Sequence, residues 1–166
     1  MLLIVFGLPG AGKTYVGNLL RDEFGFYFYE GDRDLTDEMQ QALKEKKLFN
    51  DSMRDVFFKN LIGKVSQLHK TKKHLVVAQT FIKEKYRNRL LKSLPHARFI
   101  LVQTENALRE KRFLQRNDLD LNYVKGMVKL FEKPNVEHFK IENNTDGKIQ
   151  LLKKLENILF NQKINY

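Results

Sequence analysis

Residues 7–14 of this chain, GLPGAGKT, restrict the folds open to it more than any other segment does. They fit the pattern G-x-x-x-x-G-K-[ST], in which glycines let the backbone curl so that successive N–H groups point at phosphate oxygens. The segment follows the apolar run Leu2–Phe6, which is typical of a buried parallel strand, and it opens the stretch Thr14–Phe24, whose apolar residues recur at helical spacing. This order predicts a strand, a phosphate-binding loop and a helix whose N-terminus adds partial positive charge to the site.

The loop is expected to bind ATP together with Mg²⁺. Lys13 is expected to reach the β- and γ-phosphates, and the hydroxyl of Thr14 is expected to ligate Mg²⁺. The strand before the loop and the helix after it favour this interpretation over a glycine-rich turn with an incidental lysine. The predicted nucleotide contacts are Gly7, Gly10, Ala11, Gly12, Lys13, Thr14 and Tyr15.

Composition limits the class of protein. The 166 residues fit one domain, 1–166, and an apolar fraction of 42%, with 13 Phe, is enough for a packed core. The chain has no Cys, which excludes disulfides and thiolate metal sites, and its four His show no spacing typical of zinc ligands. The opening MLLIVF has no basic segment, and no stretch reaches the roughly 20 apolar residues of a membrane span. We therefore expect a cytoplasmic protein without a membrane partner, of undetermined oligomeric state.

Short apolar runs alternate with longer amphipathic segments along the chain. The predicted strands are Leu2–Phe6, Phe26–Tyr29, Leu75–Ala78, Arg98–Val102 and His138–Ile141. The predicted helices are Thr14–Phe24, Asp37–Lys46, Asp51 to about Lys70, Lys83–Leu94, Glu105–Arg116, Leu121–Glu132 and Lys148–Phe160. This alternation predicts an α/β fold of three layers, in which helices cover both faces of a parallel sheet.

Ligands bind at the carboxyl ends of the strands in such a sheet, and several of these ends carry polar residues here. Asp32 and Asp34 follow the second predicted strand. Asp32 could accept the proton of a substrate hydroxyl or help to hold Mg²⁺; the other interpretation is that both aspartates form turns or helix caps. Gln79 follows the third strand, where many phosphate-loop proteins have a second carboxylate that organises Mg²⁺.

Further segments follow one another in a recognisable order. They are Gly31-Asp32, Asn50-Asp51-Ser52-Met53-Arg54, Lys83–Leu90, Glu110–Arg116 and Phe131-Glu132-Lys133-Pro134. In this order the chain resembles the gluconate kinases, which are related to shikimate kinases and nucleoside monophosphate kinases. The resemblance runs over most of the chain. It implies a P-loop kinase fold with strand order 2-3-1-4-5, an acceptor-side segment at about residues 30–60 and a short lid at about residues 112–125.

The resemblance also implies an activity, which is transfer of the γ-phosphoryl group of ATP to a hydroxyl of a small, anionic acceptor such as a sugar acid. Asp32 would be the base and a partner of Mg²⁺. Arg54 would bind the anionic group of the acceptor, because a guanidinium group grips a carboxylate or phosphate bidentately, and Gln79 would also contact the acceptor. Arg112 and Arg116 would neutralise charge that develops on the phosphates, and residues in the Glu142–Thr145 turn would lie near the adenine.

Departures from the family pattern lie on the acceptor side. Leu35 and Thr36 stand where gluconate kinases have a His-Pro pair, and Ala42 stands where they have a Lys. Gln79 and Thr80 stand where shikimate kinases have glycines. These differences predict an acceptor pocket unlike that of an ordinary gluconate kinase.

The net charge of +10 leaves other interpretations open. The lysines are spread widely, which is typical of a solvated surface, but the charge would also suit a polyanionic partner such as nucleic acid. A polynucleotide 5′-hydroxyl kinase or nucleotide kinase is therefore one alternative. A non-catalytic ATP-binding regulatory protein is another, because an altered acceptor pocket can coexist with an intact loop. Independently of these alternatives, the other interpretation of Arg54 is a surface ion pair on a helix, and that of Arg112 and Arg116 is a solvated basic stripe.

Overall fold

A single five-stranded parallel sheet forms the centre of the fold. The computed structural model describes residues 1–115, 120–144 and 147–160, and the statements below concern these residues. The strands lie in the order β2-β3-β1-β4-β5, which confirms the predicted order, and every neighbouring pair is parallel. Their bounds are β1 Leu2–Phe6, β2 Tyr27–Glu30, β3 Leu75–Ala78, β4 Ala97–Gln103 and β5 His138–Glu142.

Seven helices are described beside the sheet, and each begins and ends within two residues of the bounds of a predicted helix. They are α1 Lys13–Phe24, α2 Asp37–Lys44, α3 Asp51–Thr71, α4 Glu84–Ser93, α5 Asn106–Leu114, α6 Leu121–Leu130 and α7 Gly147–Phe160. A 3-10 helix, Gly31–Asp34, follows β2 and was not predicted. Residues 116–119, which include Arg116 and part of the predicted lid, lie outside the described residues, as does Thr145. No described helix is long and apolar enough to cross a membrane.

The sheet separates two hydrophobic core clusters. Alternate residues of β1 face opposite sides, as the period of a strand requires. Leu2, Ile4 and Phe6 pack with residues of α3 and α4, whereas Leu3 and Val5 pack with residues of α1 and α7. All five of these residues are at most 1% exposed. The central strand is therefore buried on both faces, and the loop that follows it is held at the middle of the sheet edge.

A third, smaller cluster joins the helices after β4 to the loop after β3. Its buried members are Ile82, Phe113, Tyr123, Val124 and Met127. Because these residues come from α5, α6 and the loop, their packing fixes the later half of the chain over the carboxyl ends of the strands.

Arg87 on α4 ties the loop after β3 to the segment after α6. Its side chain is fully buried, and it donates hydrogen bonds to the carbonyl oxygens of Phe81 at 2.9 Å and Glu132 at 2.8 Å. It also forms an ion pair with Glu84 at 2.5 Å. Phe81 is fully buried and has a φ of 42°, a left-handed conformation that is uncommon for a residue other than glycine. Arg87 therefore stabilises a loop whose first residue, Gln79, belongs to the site described next.

Candidate active site

The predicted phosphate loop connects β1 to α1. Gly7, Gly10 and Gly12 have φ values of 145°, 81° and 94°, which residues with a Cβ rarely adopt. A Cβ on Gly12 would also overlap the side-chain amide of Asn143. The curled loop ends at Gly12 and leads directly into the N-terminus of α1, which begins at Lys13. This geometry confirms the predicted strand, loop and helix, and such a helix N-terminus favours bound anions.

Thr104, which follows β4, and Asn143, which follows β5, hold the back of the loop. The carbonyl oxygen of Ala11 accepts hydrogen bonds from Thr104 Oγ1 at 2.9 Å and from Asn143 Nδ2 at 3.0 Å. Arg112 donates to the carbonyl oxygens of Asn143 at 2.8 Å and Asn144 at 3.1 Å. Arg112 is thus fixed beside the loop by the start of the turn after β5, the turn that the resemblance associates with adenine.

Lys13 lies half-buried at the start of α1, and its Nζ donates to the carbonyl oxygen of Leu8 at 3.1 Å. Burial lowers the pKa of Lys13, while the nearby carboxylates of Asp32 and Glu30 act to raise it. A cation that has lost part of its hydration is attracted strongly to phosphate oxygens, because the effective dielectric constant around it is lower than in water.

Glu30 is a site residue that the sequence interpretation missed. It is the last residue of β2, and its carboxylate accepts a hydrogen bond from Thr14, the residue expected to ligate Mg²⁺. Burial raises the pKa of Glu30, and the Thr14 hydrogen bond acts against that rise. Its position at the end of a strand next to Gly31-Asp32 was the available signal. The described residues hold no cluster of three or more His, Cys, Asp or Glu that could bind a metal without other ligands.

Asp32 and Gln79 are joined across two neighbouring strands. Gln79 donates from Nε2 to Asp32 Oδ1 at 2.9 Å, while its Oε1 accepts from the backbone N–H of Thr80 at 2.6 Å. Asp34 differs, because its Oδ2 accepts a hydrogen bond from Tyr29 at 2.5 Å. Of the two aspartates, Asp32 lines the cavity and Asp34 does not. Asp32 is therefore the carboxylate that can face a substrate.

Arg54 projects from α3 into the protein and is 4% exposed. Its Nη1 lies 3.5 Å from Asp51, whose side chain is 53% exposed. Its Nη2 is buried and has no hydrogen-bond partner among the described residues. Burying an arginine nitrogen without a partner is unfavourable, so a cation held in this way is suited to an anionic ligand.

Tyr123 on α6 is a second residue that the sequence interpretation missed. It is 5% exposed, and burial raises its pKa to about 12. The Arg54 guanidinium lowers that pKa and the Asp32 carboxylate raises it, so the hydroxyl lies within the field of both groups. Tyr123 therefore brings a neutral hydrogen-bonding group from the later half of the chain to the acceptor side.

One cavity of about 290 Å³ brings most of the predicted residues together. The predicted site residues that line it are Gly10, Gly12, Lys13, Thr14, Asp32, Arg54, Gln79 and Arg112. Glu30 and Tyr123, which were not predicted, line it as well. Gly7, Ala11 and Tyr15 are not part of its lining, and the side chain of Tyr15 is 40% exposed. The loop groups and the acceptor-side groups thus border the same space, as direct transfer between two bound molecules requires.

The sheet order, the loop after β1 and the helices on both faces define the three-layer P-loop kinase fold. No family model matches the chain. A segment of 97 residues is 30% identical to a probable gluconokinase of Xenopus tropicalis, and it covers 58% of this chain and 51% of that protein. The chain therefore spans about half the length of the curated relative that it matches.

Solved structures share the fold over almost the whole chain. A sugar kinase from Janibacter has a TM-score of 0.80 at 18% identity and covers 95% of this chain and 93% of its own. A gluconokinase from Sinorhizobium meliloti has a TM-score of 0.74 at 20% identity, and the match covers 97% of each chain. A shikimate kinase from Acinetobacter baumannii has a TM-score of 0.69 at 18% identity, and the match covers 99% of this chain and 95% of that kinase. These likenesses confirm the resemblance to gluconate and shikimate kinases at the level of the fold.

Proposed function

We propose that this protein is an ATP-dependent phosphotransferase that transfers the γ-phosphoryl group to a hydroxyl of a small anionic acceptor. The observation that carries the proposal is the shared cavity, whose lining includes Lys13 and Thr14 of the loop as well as Asp32 and Arg54. Phosphoryl transfer depends on positioning and charge stabilisation more than on covalent chemistry, so two facing sets of groups are what the reaction needs.

The nucleotide end fits MgATP. The N–H groups of the loop and the Lys13 ammonium bind phosphate oxygens, and Arg112 adds a third source of positive charge at the cavity. The Thr14 hydroxyl would ligate Mg²⁺, and the Glu30 carboxylate, which accepts a hydrogen bond from Thr14, would orient that hydroxyl. ATP bound with Mg²⁺ supplies the phosphoryl group for transfer.

The acceptor end supplies a base and a cation. Gln79 fixes one oxygen of Asp32, which leaves the other oxygen to accept the proton of the acceptor hydroxyl as that hydroxyl attacks phosphorus. Arg54 binds the anionic group of the acceptor and so holds the hydroxyl in line. Arg116, which lies outside the described residues, remains a proposed partner of the transferring phosphate.

The relatives support this activity through the names they carry, which include gluconokinase, sugar kinase and shikimate kinase. We propose a hydroxy acid as the acceptor because these names have in common a hydroxylated small molecule, and because Arg54 offers a buried cation. Leu35, Thr36 and Ala42 depart from the gluconate kinase pattern, so gluconate itself is not assigned.

The test is acceptor-dependent formation of ADP in the presence of Mg²⁺, measured with sugar acids, shikimate, nucleosides, their monophosphates and 5′-hydroxyl oligonucleotides. The proposal expects stimulation by at least one hydroxy acid, and loss of that stimulation in Lys13→Ala but not in Lys64→Ala, an exposed lysine on α3. Salt-sensitive stimulation by oligonucleotides alone would instead favour a polynucleotide kinase. ATP binding with no stimulation by any acceptor would favour a regulatory protein.

A further inference from the structure

The acceptor end of the cavity has mainly apolar walls. The apolar residues that line it belong to two clusters or pack against them: the core cluster that includes residues of α2 and α3, and the cluster that joins α5 and α6 to the loop after β3. The side chains that form these walls are Met39, Phe49, Phe57, Ile82, Phe113 and Met127. A ligand that enters this space exchanges water for hydrocarbon and aromatic surface on both sides.

Few polar groups at this end remain available to a ligand. Apart from the loop, Glu30 and Arg112, the polar side chains of the described residues that line the cavity are those of Asp32, Arg54, Gln79, Thr80 and Tyr123. Gln79 already donates to Asp32 and accepts from the backbone of Thr80. Asp32 is reserved for the reacting hydroxyl under the proposed function, so among the described residues the side chains left for the rest of the acceptor are those of Arg54, Tyr123 and Thr80.

A polyol acid fits this arrangement poorly. It carries a hydroxyl on almost every carbon, and each hydroxyl that leaves water without a new partner lowers the affinity by about tenfold or more. A carbon-rich ring loses little on transfer to the same walls and gains from contact with their aromatic and thioether side chains.

We propose that the acceptor is a ring-containing hydroxy acid with a largely apolar body, one anionic group for Arg54 and one reacting hydroxyl for Asp32. This inference rests on the proposed function and narrows it, because it places polyol acids such as gluconate among the poor ligands. Tyr123 lines the same cavity as Arg54 and Asp32, and its hydroxyl would donate a hydrogen bond to the anionic group beside Arg54.

The polarity of the walls can be tested by binding, which does not depend on turnover. Isothermal titration calorimetry with the full chain, Mg²⁺ and a non-hydrolysable ATP analogue would compare 4-(hydroxymethyl)benzoate with gluconate. Both carry one carboxylate and a primary hydroxyl, and they differ in the body between them. We expect the aromatic acid to bind at least about tenfold more tightly. Equal or tighter binding of gluconate, or no binding of the aromatic acid, would overturn the inference.

The same titration can test the placement of the anionic group. Arg54→Ala is expected to weaken binding of 4-(hydroxymethyl)benzoate by about tenfold or more, whereas Arg89→Ala is expected to leave it unchanged, because Arg89 is exposed on α4. Benzyl alcohol, which lacks the carboxylate, should bind weakly to all three proteins. Binding of the aromatic acid that is indifferent to Arg54→Ala would contradict the inference.

A parallel measurement of ADP formation with the same two acids distinguishes failure of this inference from failure of the proposed function. If gluconate binds more tightly and stimulates ADP formation, the inference about the acceptor is wrong and the proposed function stands. If the aromatic acid binds through Arg54 and neither acid nor any other acceptor is phosphorylated, the proposed function is wrong. The acceptor role of the ligand then fails with it, and only the preference of the cavity for a ring-containing acid stands.

Discussion

Gln79 Nε2 and Asp32 Oδ1 lie 2.9 Å apart although 47 residues separate them in the chain. The pair forms because β2 and β3 are neighbours in the sheet and both residues follow the carboxyl ends of their strands. A neutral donor in this place orients the carboxylate without neutralising it. Gln79 is therefore a positioning residue for the proposed base.

Replacing Gln79 by Leu should lower kcat for phosphoryl transfer by roughly tenfold or more, since a hydrogen bond to a charged group is worth ~1.5–3 kcal/mol. The KM for ATP should change little, and steady-state kinetics would separate the two. Gln67→Leu, on the exposed side of α3, is the control. An unchanged kcat in Gln79→Leu would show that Asp32 does not need this partner.

Asp32→Asn should reduce phosphoryl transfer by about 10²-fold or more, because the amide cannot accept the proton of the acceptor hydroxyl. Nucleotide affinity, measured by titration, should remain largely intact. Asp34→Asn is the matched control, since its carboxylate is bonded to Tyr29 and does not line the cavity. If the two variants lose activity equally, Asp32 is not the base.

Glu30→Gln should stabilise the folded protein near pH 7. Burial raises the pKa of Glu30 above its ordinary value of 4.5, so the folded state binds more protons than the unfolded state as this group titrates. The stability contributed by Glu30 is therefore fully present below pH 4.5 and is lost as the pH rises through the folded-state pKa. Thermal unfolding should show a higher Tm for the variant at pH 7, and a difference that shrinks towards zero below pH 4.5. A difference in Tm that does not change with pH would show that the raised pKa of Glu30 is not its cause.

Arg87→Ala should destabilise the fold by about 3–5 kcal/mol, because it leaves the Glu84 carboxylate and three backbone carbonyl groups without their buried partner. Arg89→Ala, two residues away, should change the stability by less than about 0.5 kcal/mol, since its side chain is 43% exposed. Urea unfolding of both variants provides the comparison. Similar midpoints for the two would contradict the structural role of Arg87.

The phosphate loop and the positions of the strands along the chain could be predicted because their signals are local, whereas the order of the strands in the sheet was implied by the resemblance to gluconate kinases. The spacing of glycines, Lys13 and Thr14 is fixed within eight residues, and continuous apolar runs such as Leu2–Phe6 mark buried parallel strands. Short-range features of this kind do not depend on which distant segments meet. The 3-10 helix at Gly31–Asp34 escaped prediction because a single turn leaves no periodic pattern.

The rest of the candidate site depends on contacts between distant segments. Tyr123 reaches Arg54 and Asp32 only because α6 packs over the loop after β3, and nothing in the residues around Tyr123 indicates that position. Glu30 stands beside Asp32 in the sequence, but its hydrogen bond to Thr14 follows from the place of β2 in the sheet. Arg87 lies in a segment that resembled part of a kinase site, and the structure gives it a role in packing.

The most direct test of the account follows the phosphoryl group itself. ATP labelled in the γ-phosphate would be incubated with Mg²⁺ and a hydroxy acid, and the products would be separated for the wild-type chain and for Lys13→Ala. The account predicts label on the hydroxyl of the acceptor with the wild-type chain and no labelled acceptor with the variant. Label released only as inorganic phosphate, or equal labelling of the acceptor by Lys13→Ala, would contradict it.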